Sequence, residues 1–369
     1  MTSINQILDV KSLEFSVQEG MISCTAHPTL PLLIYNYTHA AQHEAPSQWN
    51  EAMNTCRGLI ITKDGDVIAR PFRKFWNYGQ DYVPPGVPEV TEKLDGSLGI
   101  YWSYKGEEGI ATRGSFASEQ AQWATKWYED HIGHIEWLGA TSLFEIIAAW
   151  NQIVVKYPKE GLMLLSIVDT PTGIEGTYDE VKQVADYHHL EMVGKSGKTI
   201  AQCLAENNKN EEGYVLAWKF PDRPPYRVKV KFADYMRLHK LLTGVNPKAI
   251  WEILMKSANA ADDLRRLTEN TPEDFTAWTR KWSDKLTGDV ADLQARALLV
   301  YNKFRTDCLS VMLGFPTPHE QRKFAAAYFN QYKDLAPLLF RMLDGKPYHD
   351  LLWKMVKPQG TDTFRADRQ

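Results

Sequence analysis

Between residues 30 and 235 the apolar residues arrive in short β-branched or aromatic runs broken by glycine, proline, asparagine or aspartate; from residue 236 onward they recur at helical spacing. This change of period constrains the fold more than any other feature of the chain. Runs such as "LLIYNY", "GLIITKDGDVIA", "SLGIYWSY", "LMLLSIVD", "GYVLAW" and "RVKVKF" have the residue types and breaks of strands. Helices interrupt them: Ser118 can cap "EQAQWATKWYEDHI", and "DEVKQVADYHHL" and "TIAQCLAEN" place apolar residues on one helical face. Beyond residue 236, "PKAIWEILMKS", "ADDLRRL", "PEDFTAWTRKWSDKL", "VADLQARALLVYNKF", "HEQRKFAAAYFNQYKD" and "LAPLLFRML" are amphipathic helix candidates with almost no strand signal. The expectation is an α+β chain: an antiparallel-sheet domain over residues 1–243, then an all-α domain over 244–369 that ends in a frayed "RADRQ" tail.

With 44% hydrophobic and 12% aromatic residues, 369 residues are enough for two proper cores. No run of eighteen apolar residues exists, and "MTSINQILDVKSLEF" lacks the basic and apolar regions of a signal peptide, so no membrane partner and a cytoplasmic location are expected. The four cysteines are scattered without paired metal spacing, which reads as reduced thiols rather than a zinc site. The net charge of -4 at first argues against a nucleic-acid partner. Its distribution softens that objection, because "RPFRKF" and "YRVKVKF" concentrate positive charge where a focused field can hold phosphates.

The chemistry-bearing residues form an ordered set. Lys93 lies two places before Asp95-Gly96 in "TEKLDGSLGI", a stretch that reads as two strands around a tight turn. Upstream, Arg57 precedes a hairpin and Lys74 follows it. Downstream come Arg113-Gly114 and then Glu145, a carboxylate inside the apolar run "SLFEIIAAW", where an ionised group needs a partner. Glu212 opens the strand "EGYVLAW". In "RVKVKF", alternation puts Arg227, Lys229 and Lys231 on one face and Val228 and Val230 on the other. Taken singly, each has an ordinary reading as a strand-edge or turn charge.

Together their order and spacing resemble the covalent nucleotidyltransferases, and in detail the phage-type RNA ligase 1 family. The matches are "IYNY", "CRGLII", "RPFRKFWN", "KLDGSL", "RGS" followed by "SEQA", "FEIIAAWNQIVVKY", "EGYVLAW" and "KVKFADYMRLH". The resemblance implies a nucleotidyltransferase domain followed by a helical C-terminal domain that could dock RNA. It implies ATP-dependent joining of RNA 3′-hydroxyl and 5′-phosphate ends by a monomer, with cleaved tRNA among the RNAs repaired. Lys93 would be the nucleophile that forms lysyl-AMP, with Lys229 and Lys231 assisting. Tyr35, Arg57, Lys74, Asp95, Gly96, Arg113 and Glu145 would contact the nucleotide. Glu212, and the pair Asp262 and Asp263, would hold Mg2+ or Mn2+. Asp262 and Asp263 have a plainer reading as first-turn helix residues, and Arg113 stands where the family often has lysine.

A DNA ligase or capping enzyme would share Lys93 but usually continues into an OB domain, whereas this chain turns helical. A fungal or plant tRNA ligase would need end-healing domains that this length does not hold. An inert RNA-binding protein is the remaining class; labelling by ATP separates it from an enzyme.

Overall fold

A computed structural model of the chain describes residues 2–43, 49–135, 139–360 and 363–364, so the "RADRQ" tail lies outside it. The chain divides into two compact units, Met1–His239 and Lys240–Gln369. No helix among the described residues is long and apolar enough to cross a membrane.

The strands of the first unit are β1 (Ile22–Ala26), β2 (Leu32–Tyr37), β3 (Arg57–Thr62), β4 (Val67–Ala69), β5 (Trp76–Asn77), β6 (Glu89–Lys93), β7 (Ser97–Tyr104), β8 (Glu107–Ala111), β9 (Ala140–Ile147), β10 (Gly161–Asp169), β11 (Lys195–Ser196), β12 (Gly213–Trp218) and β13 (Tyr226–Lys231). They form three sheets, ordered β1-β2-β3-β4, β10-β9-β7-β8 and β11-β6-β12-β13-β5. Neighbours are antiparallel except β5 and β13. The first two sheets share a core through Leu32, Ile34, Ile60, Ile100, Leu143 and Val168. The outer face of the first sheet packs with the helices Val10–Gln18 and Glu51–Thr55, and that of the second with Glu119–His131 and Tyr178–Tyr187. Ser118 caps the helix Glu119–His131 as expected, accepting the amide of Ala121.

The segment "TEKLDGSLGI" is not a hairpin. β6 pairs with β11 and β12, β7 pairs with β8 and β9, and Asp95-Gly96 is the bend where the chain leaves one sheet for another. Asp95 makes the bend possible by turning inward. Its Oδ2 accepts the amides of Val154 (2.8 Å) and Val155 (2.9 Å), and its Oδ1 accepts the hydroxyl of Tyr235 (2.8 Å). At Gly96 a Cβ would stand 2.4 Å from the carbonyl oxygen of Ile146, so only glycine lets β7 begin this close to β9.

The second unit is helical among its described residues, with helices Pro247–Lys256, Ala260–Thr268, Glu273–Leu313, Pro318–Phe329, Ala336–Leu343 and His349–Met355. Two stretches expected to be separate helices form one of 41 residues, Glu273–Leu313. Gly288 lies inside it. A solvent-facing glycine costs a helix only about 1 kcal/mol, which the burial of Leu286 and Val290 on either side offsets.

Candidate active site

The bend at Asp95-Gly96 opens into a cavity of about 690 Å3 within the first unit. Sheet register builds its floor. Gly213 pairs with Lys93 on one side and with Lys231 on the other, so three adjacent strands end abreast. Glu212 precedes Gly213 on the central strand and reaches both neighbours: its Oε2 lies 2.8 Å from Lys93 Nζ and its Oε1 2.7 Å from Lys231 Nζ. The Glu212 side chain is 3% exposed, so this doubly paired carboxylate is a fixed element of the floor. Gly213 holds φ +142°, and a Cβ there would stand 1.9 Å from the carbonyl oxygen of Val230. The register therefore depends on glycine.

Glu145, on β9, accepts the Gly96 amide at 3.0 Å. Burial pushes its carboxyl up to about 7; Lys93 opposes the shift and the charge of Glu212 adds to it. Alternation along β13 is as expected: Arg227, Lys229 and Lys231 line the cavity while Val228 and Val230 are buried. Arg227 is spoken for, making a bidentate pair with the buried Glu175. Lys229 is different. It faces cations, and burial together with Lys231, Lys74, Lys93 and Arg57 brings its ammonium down to about 7.

Across the cavity stand Arg57, Lys74 and Arg113. Burial lowers Arg57 to about 10, and its Nη1 is buried without a hydrogen-bond partner. Arg113 Nη1 donates to the hydroxyl of Tyr37 at 2.8 Å. Lys74 donates to Gln42 Oε1 at 3.2 Å and sits inside three rings, 4.7 Å from Tyr37, 5.2 Å from Trp49 and 4.7 Å from Trp76. Such a cage positions an ammonium without neutralising it. Burial raises the Tyr37 phenol, and Arg57, Arg113 and Lys74 more than offset that, leaving it below its ordinary value. Lys219 and Arg227 of the lining are paired with Glu89 and Glu175, which leaves the cations Arg57, Lys74, Lys93, Arg113, Lys229 and Lys231 against the carboxylates of Glu92 and Glu145 in the lining and of Glu212 beneath it. That surplus is the signature of a polyanion site.

Two expected placements need correction. Tyr35 does not line the cavity; it packs in the cluster beneath the first sheet, where burial and Cys24 raise its phenol, and Tyr37 holds the site instead. Asp95 offers no oxygen to the cavity, because its carboxylate is consumed by the bend. Asp262 and Asp263 lie in the helical unit, where they were expected, in the first turn of Ala260–Thr268. Asp262 pairs with Arg265 (2.6 Å) and Arg266 (2.9 Å), and Asp263 accepts the hydroxyl of Ser257 (2.6 Å). Their plain reading as helix-start residues accounts for those contacts. Lys93, Gly96, Arg57, Lys74, Arg113, Glu145, Lys229 and Lys231 do line the cavity. Tyr37, Trp49, Trp76 and Gln42 escaped the sequence reading. The aromatic run after Lys74 hinted at Trp76; nothing local marked Trp49 or Gln42.

Comparison with known proteins gives the site a lineage. Residues 55–235 match the model of a family described as RNA ligase. This segment belongs to the RNA ligase family. It contains Arg57, Lys74, Lys93, Arg113, Glu145, Glu212, Lys229 and Lys231, so the cavity's charged constellation is the RNA ligase segment's own. A protein of Thermovibrio ammonificans carrying the name "Putative RNA ligase" is 28% identical over 229 residues, covering 56% of this chain and 59% of the relative. Among solved structures, a variant of the Naegleria gruberi RNA ligase with ATP and Mn is 21% identical over 42% of this chain and 51% of that one, with a TM-score of 0.34. A "Putative ATP-dependent DNA ligase" from Aquifex aeolicus is 13% identical over 92% of this chain and 100% of that one, with a TM-score of 0.44. The chain thus spans less than two thirds of the curated relative and about half of the Naegleria ligase.

Proposed function

We propose that the chain is an ATP-dependent RNA ligase that joins a 3′-hydroxyl to a 5′-phosphate through lysyl-AMP and RNA-adenylate intermediates. The observation that carries this reading is the Lys93–Glu212–Lys231 bridge at the floor of a cavity whose other cations have no full set of counter-charges. A nucleophilic amine needs a proton acceptor, and Glu212 Oε2 is at bonding distance of Lys93 Nζ. In the first step Lys93 Nζ bonds to the α-phosphorus of ATP, the bond to the bridging oxygen breaks, and pyrophosphate leaves with that electron pair. Lys229, Lys74, Arg57 and Arg113 are placed to neutralise the phosphates as charge moves onto the leaving group. An RNA 5′-phosphate then takes the AMP from Lys93, and a 3′-hydroxyl displaces AMP to close the phosphodiester.

Among the described residues no three potential metal ligands gather. A cage made wholly of protein is not what a magnesium or manganese ion in such a reaction requires. One or two carboxylates completed by phosphates and water are the usual arrangement; Glu145, which lines the cavity, would be the protein's donor, since both oxygens of Glu212 are held by Lys93 and Lys231. Such an ion would add positive charge beside the phosphates when bound.

Incubation with α-labelled ATP and magnesium, followed by denaturing electrophoresis, tests the first step: a covalent AMP label on the wild type that is absent from Lys93→Ala is expected. An unlabelled wild type with intact ATP binding would favour the inert RNA-binding reading. Cleaved tRNA, with its single-stranded ends, is a natural substrate class for the second assay, sealing of a 5′-phosphorylated RNA.

A further inference from the structure

A row of aromatic rings leads away from the cavity along the helix Glu119–His131. Gln120, Trp123, Trp127 and His131 are spaced three, four and four residues apart, which puts them on one helical face. Gln120 and the capping Ser118 line the cavity, so this face begins at the site. Trp123 and Trp127 stack with centroids 6.5 Å apart and planes at 26°, and Trp127 and His131 stack at 4.4 Å and 8°. Trp150 meets Trp123 edge-on at 6.2 Å. It arrives from the other direction, five residues after Glu145 on the chain leaving β9, so the near end of the row is flanked by two cavity-lining segments and His131 is its far end.

Core packing explains only part of this arrangement. Trp123 and Trp127 pack against the core of the second sheet yet keep part of their surface in water. His131 is exposed and Trp150 is 40% exposed. The nearby charges add little for a backbone phosphate, since Lys126 is paired with Asp130 at 2.5 Å. Trp127 is covered by Trp123 and His131, so the surface beside the cavity offers its open aromatic area at the two ends of the row, Trp150 and His131, where the cavity itself offers cations.

We infer that Trp150, Trp123, Trp127 and His131 form a stacking platform for the bases of a single-stranded RNA end whose terminal phosphate lies in the cavity. The inference rests on the RNA ligase reading above. Cations hold the reacting phosphate, and the rings then hold the adjoining nucleotides by their π-faces, which every base presents and which a duplex covers. Such binding is tolerant of sequence. Removing a stacking ring lowers affinity by about tenfold or more.

The test compares wild type, Trp150→Ala combined with His131→Ala, and the conservative Trp127→Phe. Binding of a 5′-phosphorylated twelve-nucleotide RNA of mixed sequence, single-stranded or annealed as a blunt duplex, is followed by anisotropy at fixed salt, with tryptophan quenching as a second readout. Expected are quenching by the single strand, an affinity for it about tenfold weaker in the double variant, little change in Trp127→Phe, and unchanged duplex binding. KM for RNA should rise in the double variant while lysyl-AMP forms at the wild-type rate, which also shows that the fold is intact. Unchanged single-strand affinity, or an equal loss for duplex, would overturn the platform. Failure of wild type to form lysyl-AMP would instead sink the enzymatic reading, and the binding arm would still judge the platform.

Discussion

Burial drives Lys229 and Glu145 toward the same pH from opposite ends, one down to about 7 and the other up to about 7. For Lys229 the folded value lies below the unfolded one, so between about 7 and 10.5 the unfolded chain binds more protons and stability rises with pH. The penalty for charging this lysine is therefore fully present below about 7. Lys229→Met should be more stable than wild type at pH 6, by chemical denaturation, with the gain shrinking as pH approaches 10.5. The same variant should lose about a hundredfold in AMP transfer, the scale of a lost transition-state charge contact. A polyphosphate in the cavity restores the ammonium, so ATP binding at pH 8 should take up a proton. Calorimetry in two buffers of different ionisation enthalpy would show this uptake in wild type and not in Lys229→Met. Lys93→Arg should remain folded and form no lysyl-AMP, since a guanidinium does not shed its proton. At this scale the sequence was readable wherever alternation decided direction: Lys229 and Lys231 face the cavity because their neighbours Val228 and Val230 are apolar. Tyr37 was not separable from Tyr35, because the two tyrosines of "IYNY" have the same parity and only tertiary position distinguishes them.

Strands transmit this chemistry through register. Lys93, Glu212 and Lys231 are far apart in sequence and meet because β6, β12 and β13 end in line at Gly213. Gly213→Ala should cost about 1–3 kcal/mol for a side chain forced into positive φ. It should also cut lysyl-AMP formation more than stability, because the clash with Val230 displaces the strand that carries Glu212. Asp95 joins three segments in the same way. Asp95→Ala orphans the buried amides of Val154 and Val155 and the hydroxyl of Tyr235, an expected loss on the order of 3 kcal/mol by urea unfolding. If Asp95→Ala unfolded like wild type while losing only nucleotide affinity, a direct role toward ATP would replace the bracing role. The element-level misreading has the same origin. Asp-Gly between alternating runs is a strong local hairpin signal, and the partners that overrule it lie more than fifty residues away, at Val154, Val155 and Tyr235. The two helical stretches on either side of Gly288 join for a related reason: the apolar residues buried on both sides of the glycine, Leu286 and Val290, carry one helix through it.

At the scale of the molecule, the change of period near residue 236 marks two compact units, divided at His239–Lys240. The sheet-rich and helical characters were legible because periodicity is a property of whole segments. The partition of chemistry is a further step: every cation and carboxylate of the cavity lies at or before residue 231, and the bracing Tyr235 lies in the helix Ala233–Gly244. A chain ending after Gly244 keeps that helix entire. It is expected to form lysyl-AMP, because Lys93, Glu145, Glu212, Lys229 and Lys231 and the Asp95–Tyr235 bond are all retained. It should join structured RNA less efficiently than the full chain if residues 245–369 dock folded RNA, while a short single-stranded oligonucleotide held by the ring platform should be sealed with little loss. Comparing the two substrates separates docking from chemistry. A truncated protein that is folded by circular dichroism yet takes no label from ATP would show that the second unit takes part in the first step, and the division of labour argued from the cavity would fail.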